Sequence, residues 1–218
     1  MRGNAADTVI LANGSFPAHP VPLSLLRSAR RILCCDGAAD RLAEYGLEPS
    51  RVVGDLDSLS PGGRERFAGK LVPVEEQATN DLAKAFRYAC AHGWKRLGIV
   101  GASGGREDHT LANLSLLADF AETAEVRLYT DTGLFTPCLR STVFASYPGQ
   151  QVSIFSFEPG LRIYGEGLVY PLDRVPFTRW WQAALNEASG HEFKLTFVGG
   201  PLLVFQTYAP VSTASGGA

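Results

Sequence analysis

Asp55 and Asp57, two carboxylates two residues apart in Gly54-Asp55-Leu56-Asp57-Ser58, have the clearest chemical potential in this chain. They follow Arg51-Val52-Val53, a short run that reads as a buried strand, and precede Ser58 and Pro61, which read as a loop. On an extended chain, positions i and i+2 point the same way, so the two side chains would converge beyond the strand end. Like charges held together need a partner, and a divalent cation with oxygen ligands suits them. The plainer alternative is a capped turn, since Asp and Gly are common turn residues.

A second candidate is Gly101-Ala102-Ser103-Gly104-Gly105-Arg106-Glu107-Asp108-His109, set between an apolar strand and a helical pattern. Glycines there let backbone amides turn toward an anion, and the helix N-terminus adds partial positive charge. The stretch has neither the GK[ST] of a P-loop nor GxGxxG. A glycine loop alone is often a tight turn. Arg106 adds a fork suited to phosphate oxygens, and Asp108 could join the Asp55/Asp57 cluster or accept a proton; with these, phosphate binding is the favoured reading.

Gln77-Ala78-Thr79-Asn80-Asp81-Leu82-Ala83-Lys84 opens a helix, with Thr79 as the expected cap. Asp81 and Lys84 can be a surface i,i+3 pair, worth about 0.2–0.5 kcal/mol, or can place Asp81 at the metal and Lys84 on a phosphate. His109 and His191 are acid/base candidates, and only His109 sits in a motif. Trp180 and Trp181 read as core aromatics or, alternatively, as a platform for a flat heterocycle.

The elements that must hold these residues alternate. Val9-Ile10-Leu11-Ala12 breaks at Asn13-Gly14, Ile32-Leu33-Cys34-Cys35 stops at Asp36-Gly37, Val52-Val53 leads to the carboxylate pair, and Leu97-Gly98-Ile99-Val100 precedes the glycine loop. Helical stripes lie between them: Leu23, Leu25, Leu26 and Ala29; Ala39, Leu42, Ala43 and Tyr45, ended by Gly46; Leu82, Ala85, Phe86 and Ala89; Leu111, Leu114, Leu117 and Phe120. This predicts an α/β domain over residues 1–132 with a parallel sheet covered on both faces. Each motif falls at a strand's carboxyl end, where such sheets bind ligands. From 133 to 210, short alternating runs, Gly167–Tyr170 among them, predict a small C-terminal β-sandwich or barrel. Residues 211–218, rich in Ser, Gly and Ala, predict a disordered tail.

Composition narrows the function classes. The 218 residues are 45% hydrophobic and 19% charged, with 20 basic against 22 acidic residues, so no polyanion-binding face is indicated and nucleic acid is a poor partner. The apolar run at Val9–Ala12 is too short for a secretory leader, and no segment reaches the length of a membrane span. Cys34, Cys35, Cys90 and Cys138 lack CxxC spacing. The reading is a reduced, cytoplasmic protein.

Taken together, the motifs resemble the thiamine pyrophosphokinase family. The resemblance rests on Ala12-Asn13-Gly14, Asp36-Gly37-Ala38, Gly54-Asp55-Leu56-Asp57-Ser58, Gln77-x-Thr79-Asn80-Asp81-x-x-Lys84-Ala85, Gly104-Gly105-Arg106-x-Asp108-His109 and Gly167-Leu168-Val169-Tyr170-Pro171-Leu172. It implies an α/β catalytic domain, a β-sandwich domain that binds thiamine, and a homodimer with active sites at the subunit interface. It also implies transfer of the pyrophosphoryl group of ATP to thiamine with Mg²⁺, releasing AMP. Carried over by position, Asp55, Asp57 and Asp81 would hold the metal. Gln77, Lys84, Arg106 and Asp108 would line the phosphates and the substrate hydroxyl, and Asn13 and Asp36 would flank the nucleotide. Gly14, Gly37, Thr79, Gly104, Gly105 and His109 complete the nucleotide side; Tyr170, Trp180, Trp181 and Asn186 are the thiamine-side candidates. The sequence departs from the family where a Ser-Asn pair is usual, having Leu185-Asn186 there, so another heterocyclic alcohol such as a hydroxymethylpterin stays open as acceptor. A nucleotide-binding regulatory protein without turnover is the non-enzymatic alternative.

Overall fold

Val9, Ile10 and Leu11 are buried, as are Ile32 to Cys35, Val52 and Val53, and Ile99 and Val100. Runs buried on both faces belong to a covered parallel sheet, and the computed structural model, which describes residues 6–210, has one. Its strands are β1 (Thr8–Leu11), β2 (Arg31–Cys35), β3 (Arg51–Gly54), β4 (Leu71–Pro73), β5 (Arg96–Val100) and β6 (Glu125–Tyr129). They lie in the order β6-β5-β1-β2-β3-β4, every neighbouring pair parallel. The chain thus steps outward from β1 to β4, then returns to the other side of β1 for β5 and β6.

The crossovers are α1 (Pro20–Ser28), α2 (Ala38–Glu44), α3 (Pro61–Arg66), α4 (Asp81–Ala91) and α5 (Glu107–Ala121). Local chemistry sets their ends. Ser60 caps α3 by accepting from the Gly63 amide at 2.9 Å, with Pro61 at the first helical position. Gly46, at φ +83°, closes α2. Phe86 of α4 stacks on Phe120 of α5 at 3.8 Å between ring centroids. Three sequence expectations change here. The helix α3 was not anticipated, because Ser58 to Pro61 reads as a loop from composition alone. The cap of α4 is Asn80, whose side chain accepts from the Ala83 amide at 3.0 Å, rather than Thr79, whose hydroxyl is taken by Glu76. On α5 the inward face carries Asn113, Leu117 and Phe120 while Leu111 is exposed.

The chain divides into two compact units, Met1–Asp131 with Phe135–Pro137 and Thr132–Leu134 with Cys138–Ala218, the division falling within β7 (Gly133–Cys138). The second unit holds β8 (Thr142–Ala145), β9 (Gln151–Ser156), β10 (Ile163–Glu166), β11 (Ala183–Glu187), β12 (Glu192–Phe197) and β13 (Leu202–Thr207). β9 pairs antiparallel with β11 and β13, and β12 pairs antiparallel with β10 and β8. Alternate inward residues, Val152 and Ile154 from one set and Phe193, Leu195 and Phe197 from the other, meet in one apolar core.

Gly167–Tyr170 is not a strand. Gly167 turns at φ +77° and Pro171 follows, so pairing is confined to a single bridge from Leu168 to Ala188. The missed strand is β11, in the stretch after Trp181. The tail expected at 211–218 lies outside the described residues. None of the four cysteines is in a disulfide among the described residues, and Cys34, Cys35 and Cys138 are buried. No helix among the described residues is long and apolar enough to cross a membrane.

Candidate functional site

The site begins where the strand order reverses, between β1 and β5. There the loops after the two strands are tied by backbone bonds from Ala12 to Val100, Gly14 to Gly101 and Ser15 to Ser103, at 2.8–2.9 Å. Their approach is close enough that a Cβ on Gly14 would lie 2.5 Å from the Gly101 oxygen and 2.6 Å from that of Ser103, so only glycine fits. A cavity of about 300 Å³ opens at this point. Its lining includes Asn13, Gly14, Ser58, Asn80, Asp81, Gly105, Arg106 and His109. Ligand crevices of open α/β sheets form at such reversals.

Beside the cavity stand the acids. Ligand oxygens of Asp36, Asp55 and Asp57 lie within 4.8 Å of one another. Strand alternation does not bring Asp55 and Asp57 together, contrary to expectation. β3 ends at Gly54, and it is the left-handed turn at Leu56, φ +68°, that brings the two aspartates to one side. A buried leucine in this conformation is strained. Burial of its side chain in the core beneath, and the Arg64 guanidinium bonded to its carbonyl, hold it there.

The third member of the cluster is Asp36 rather than the expected Asp81. Asp36 is buried, one oxygen accepting from the Ser58 amide at 3.0 Å and the other, Oδ1, without a partner. Burial raises its pKa, with the neighbouring Asp57 and Asp81 adding to the rise against the Ser58 hydrogen bond. Asp81 lines the cavity and is held by Lys84 Nζ at 3.0 Å. The same ammonium lies 3.8 Å from Asp55. Lys84 is 3% exposed, so the pair with Asp81 is no surface pair, and its charge faces carboxylates. Although burial works against it, Asp81 and Asp55 together raise the Lys84 pKa. At Asp55, burial pushes upward but is outweighed by the Asp57 amide, the Gln77 amide at 3.4 Å and the Lys84 charge, and the carboxyl sits below its ordinary value.

Asp108 does not join this cluster. Both its oxygens accept from Arg106, at 3.1 and 2.6 Å, on an exposed surface, which keeps its carboxyl low and the guanidinium high. Gly104 and Gly105 lie on the exposed loop before Arg106, and Gly37 follows Asp36 at the entry to α2. A residue missed from sequence is Asn113, buried on α5. It accepts from Asn80 at 2.9 Å and donates to the Ala102 carbonyl at 2.9 Å, joining α4, α5 and the loop after β5. The available signal was an asparagine three residues before Leu116-Leu117 on the inward stripe.

The remaining candidates belong to the second unit. Trp180 and Trp181 are 48% and 58% exposed, which corrects the core reading: they precede β11 in an irregular stretch and take no inward strand position. The Trp180 ring rests on Phe155 at 5.5 Å. Tyr170 is exposed, whereas Asn186 is buried and clips the Tyr170 backbone, accepting from its amide at 3.2 Å and donating to its carbonyl at 2.8 Å. Leu185, where the resemblance led to the expectation of serine, is 78% exposed at φ +61° in a bulged part of β11.

Comparison with known proteins identifies the family and the fold. Residues 23–130 match the family described as thiamin pyrophosphokinase, catalytic domain, and residues 133–205 match thiamin pyrophosphokinase, substrate-binding domain. A thiamine pyrophosphokinase of Oryza sativa subsp. japonica is 27% identical over 157 residues, 61% of this chain and 59% of that protein, so the match spans about three-fifths of the curated relative's length. The fold is that of a thiamin pyrophosphokinase family protein from Enterococcus faecalis, with TM-score 0.78 and 21% identity over 93% of this chain and 99% of the other. It is also that of a thiamine pyrophosphokinase from Bacillus subtilis, with TM-score 0.78 and 22% identity over 92% and 98%. The chain belongs to the thiamine pyrophosphokinase family.

Proposed function

We propose that this protein transfers the pyrophosphoryl group of ATP to the hydroxyl of thiamine, giving thiamine diphosphate and AMP, as a Mg²⁺-dependent cytoplasmic homodimer. The observation that carries the reading is the Asp36, Asp55 and Asp57 cluster set beside a glycine-lined cavity at the sheet's reversal. Three carboxylates form a hard oxygen donor set, and the unpartnered buried Oδ1 of Asp36 is an acceptor the chain itself does not satisfy, so the residues fit a divalent cation. Bound Mg²⁺ supplies neutralisation of the triphosphate charge and polarisation of the transferred group.

The chain's own groups do the rest. Lys84 holds Asp81 and Asp55 in place. Arg106, kept in orientation by Asp108, presents its guanidinium at the cavity wall, where phosphate oxygens would accept from it. The thiamine hydroxyl oxygen bonds to the β-phosphorus as the bond from that phosphorus to the bridging oxygen of AMP breaks. Catalysis of this kind rests on positioning and charge stabilisation. The hydroxyl proton leaves to a base. Both oxygens of Asp108 are taken by Arg106, so His109, which lines the cavity, is the assigned acceptor. In this proposal the first unit is the nucleotide domain, and the second carries Tyr170, Trp180 and Trp181 for the acceptor's rings.

The test is to incubate the protein with ATP and Mg²⁺ and each of thiamine, a hydroxymethylpterin or no alcohol, and to quantify AMP. AMP that depends on thiamine is expected. AMP dependent on the pterin alone would replace the acceptor, and nucleotide binding without AMP under every alcohol would overturn the enzyme.

A further inference from the structure

Arg41 is a cation that the mechanism above does not use. It lies on α2, half-buried, outside the cavity lining, and pairs with no carboxylate among the described residues. Both its hydrogen bonds go to the loop after β1: one to the Gly14 carbonyl at 2.5 Å, the other to the side-chain oxygen of Asn13.

A guanidinium can only donate, so this bond fixes which way the Asn13 amide faces. Oδ1 is turned to Arg41, and Nδ2 points to the opposite side, where a Cβ on Gly37 would lie 3.2 Å from it and 2.8 Å from the Ser58 oxygen. Asn13 lines the cavity, and its Nδ2 makes no hydrogen bond among the described residues. Two donor hydrogens are thus held in a set direction at the cavity wall. The neighbouring residue of α2 acts on the other loop: Asp40 accepts from both the amide and the hydroxyl of Ser60 at 2.9 Å. Adjacent residues of one short helix therefore tie down the Asn13-Gly14 loop and the end of the acidic loop.

We infer that Arg41 is a positioning residue for the nucleotide, orienting Asn13 so that its amide NH₂ donates to an acceptor atom of the bound nucleotide. The inference rests on the reading that the cavity holds Mg-ATP. Arg41 contributes through Asn13 and not by contact. Losing it frees the amide to rotate, which weakens binding while leaving the reacting groups in place.

The test combines Arg41→Ala, Arg41→Lys, Asn13→Ala and the Arg41→Ala/Asn13→Ala double variant, measuring Mg-ATP affinity by calorimetry together with KM and kcat. Arg41→Ala is expected to weaken Mg-ATP affinity and raise the ATP KM by about tenfold, with kcat within about twofold. Asn13→Ala is expected to match it, and the double variant to be no weaker than Asn13→Ala alone within about twofold, because the two losses are one loss. Arg41→Lys, which can still donate to one acceptor, should fall between Arg41→Ala and wild type, and it carries the test if Arg41→Ala does not fold. Unchanged Mg-ATP affinity in Arg41→Ala, or effects that multiply in the double variant, would overturn the inference while the nucleotide reading stands. A wild-type protein that binds no Mg-ATP would overturn both.

Discussion

A buried ammonium sets the charge balance of the acidic cluster. Lys84 is enclosed by the protein yet reaches Asp81 at 3.0 Å and Asp55 at 3.8 Å. With Asp36 and Asp57 also present, carboxylates outnumber the one ammonium there, which suits the cation site proposed above. Replacing Lys84 by Met should therefore destabilise the protein by about 1–3 kcal/mol without divalent metal, less than a fully buried broken pair, because both aspartates are about a quarter exposed. Urea unfolding with EDTA and with Mg²⁺ checks this, the loss being smaller with the metal. Asp57→Asn keeps the shape of the side chain and removes its charge; turnover should fall at least about a hundredfold with the unfolding free energy within about 1 kcal/mol of wild type. Steady-state kinetics and a urea titration read the two quantities, and near-native turnover would remove Asp57 from the metal site.

At the scale of elements, the acidic loop is shaped by a residue without chemistry of its own. Leu56 sits at φ +68° between the two aspartates, and Arg64 of α3 donates to the Leu56 carbonyl and to that of Leu59 at 3.4 Å. Arg64→Ala should leave the fold in place but weaken Mg²⁺ binding by about 10–100-fold, as loss of a group that orients metal ligands does; a metal titration followed by activity and by calorimetry measures it. The sequence made Asp55 and Asp57 legible as a pair, because residue type and spacing carry that information. It did not reveal the left-handed turn, since leucine has no preference for it and only the tertiary core repays the strain. For the same reason Asn80 replaces Thr79 as the cap: both are good capping residues, and the competing Glu76 carboxylate that takes Thr79 is recognised only after folding. Trp180 and Trp181 are large and apolar, which argues for burial, yet the irregular stretch before β11 leaves them exposed.

At the scale of the whole molecule, parallel order was legible because buried strands alternated with helical stripes, and the motifs fell at the strands' carboxyl ends. The reversal between β1 and β5, which puts the Asn13-Gly14 loop against the Gly101 loop, depends on strand order and so had no local signal. The family resemblance placed Asp36 with the nucleotide; the pairing of β2 with β3 brings it to Asp55 and Asp57. A site assembled from the ends of β1, β2, β3 and β5 should couple ligand binding to global stability. Saturation at about a hundred times Kd contributes about 2.7 kcal/mol, and for a chain of this size Mg-ATP should raise the melting temperature by roughly 5–10 °C. Differential scanning calorimetry with ATP plus EDTA as the control checks it, the control giving the smaller shift.

The central claim is transfer at the β-phosphorus, and ATP labelled at that atom tests it most directly. With Mg²⁺ and thiamine, the label should appear in thiamine diphosphate, with one unlabelled AMP formed for each. Label recovered in ADP or inorganic phosphate, or retained in ATP while thiamine is unchanged, would contradict pyrophosphoryl transfer by this protein.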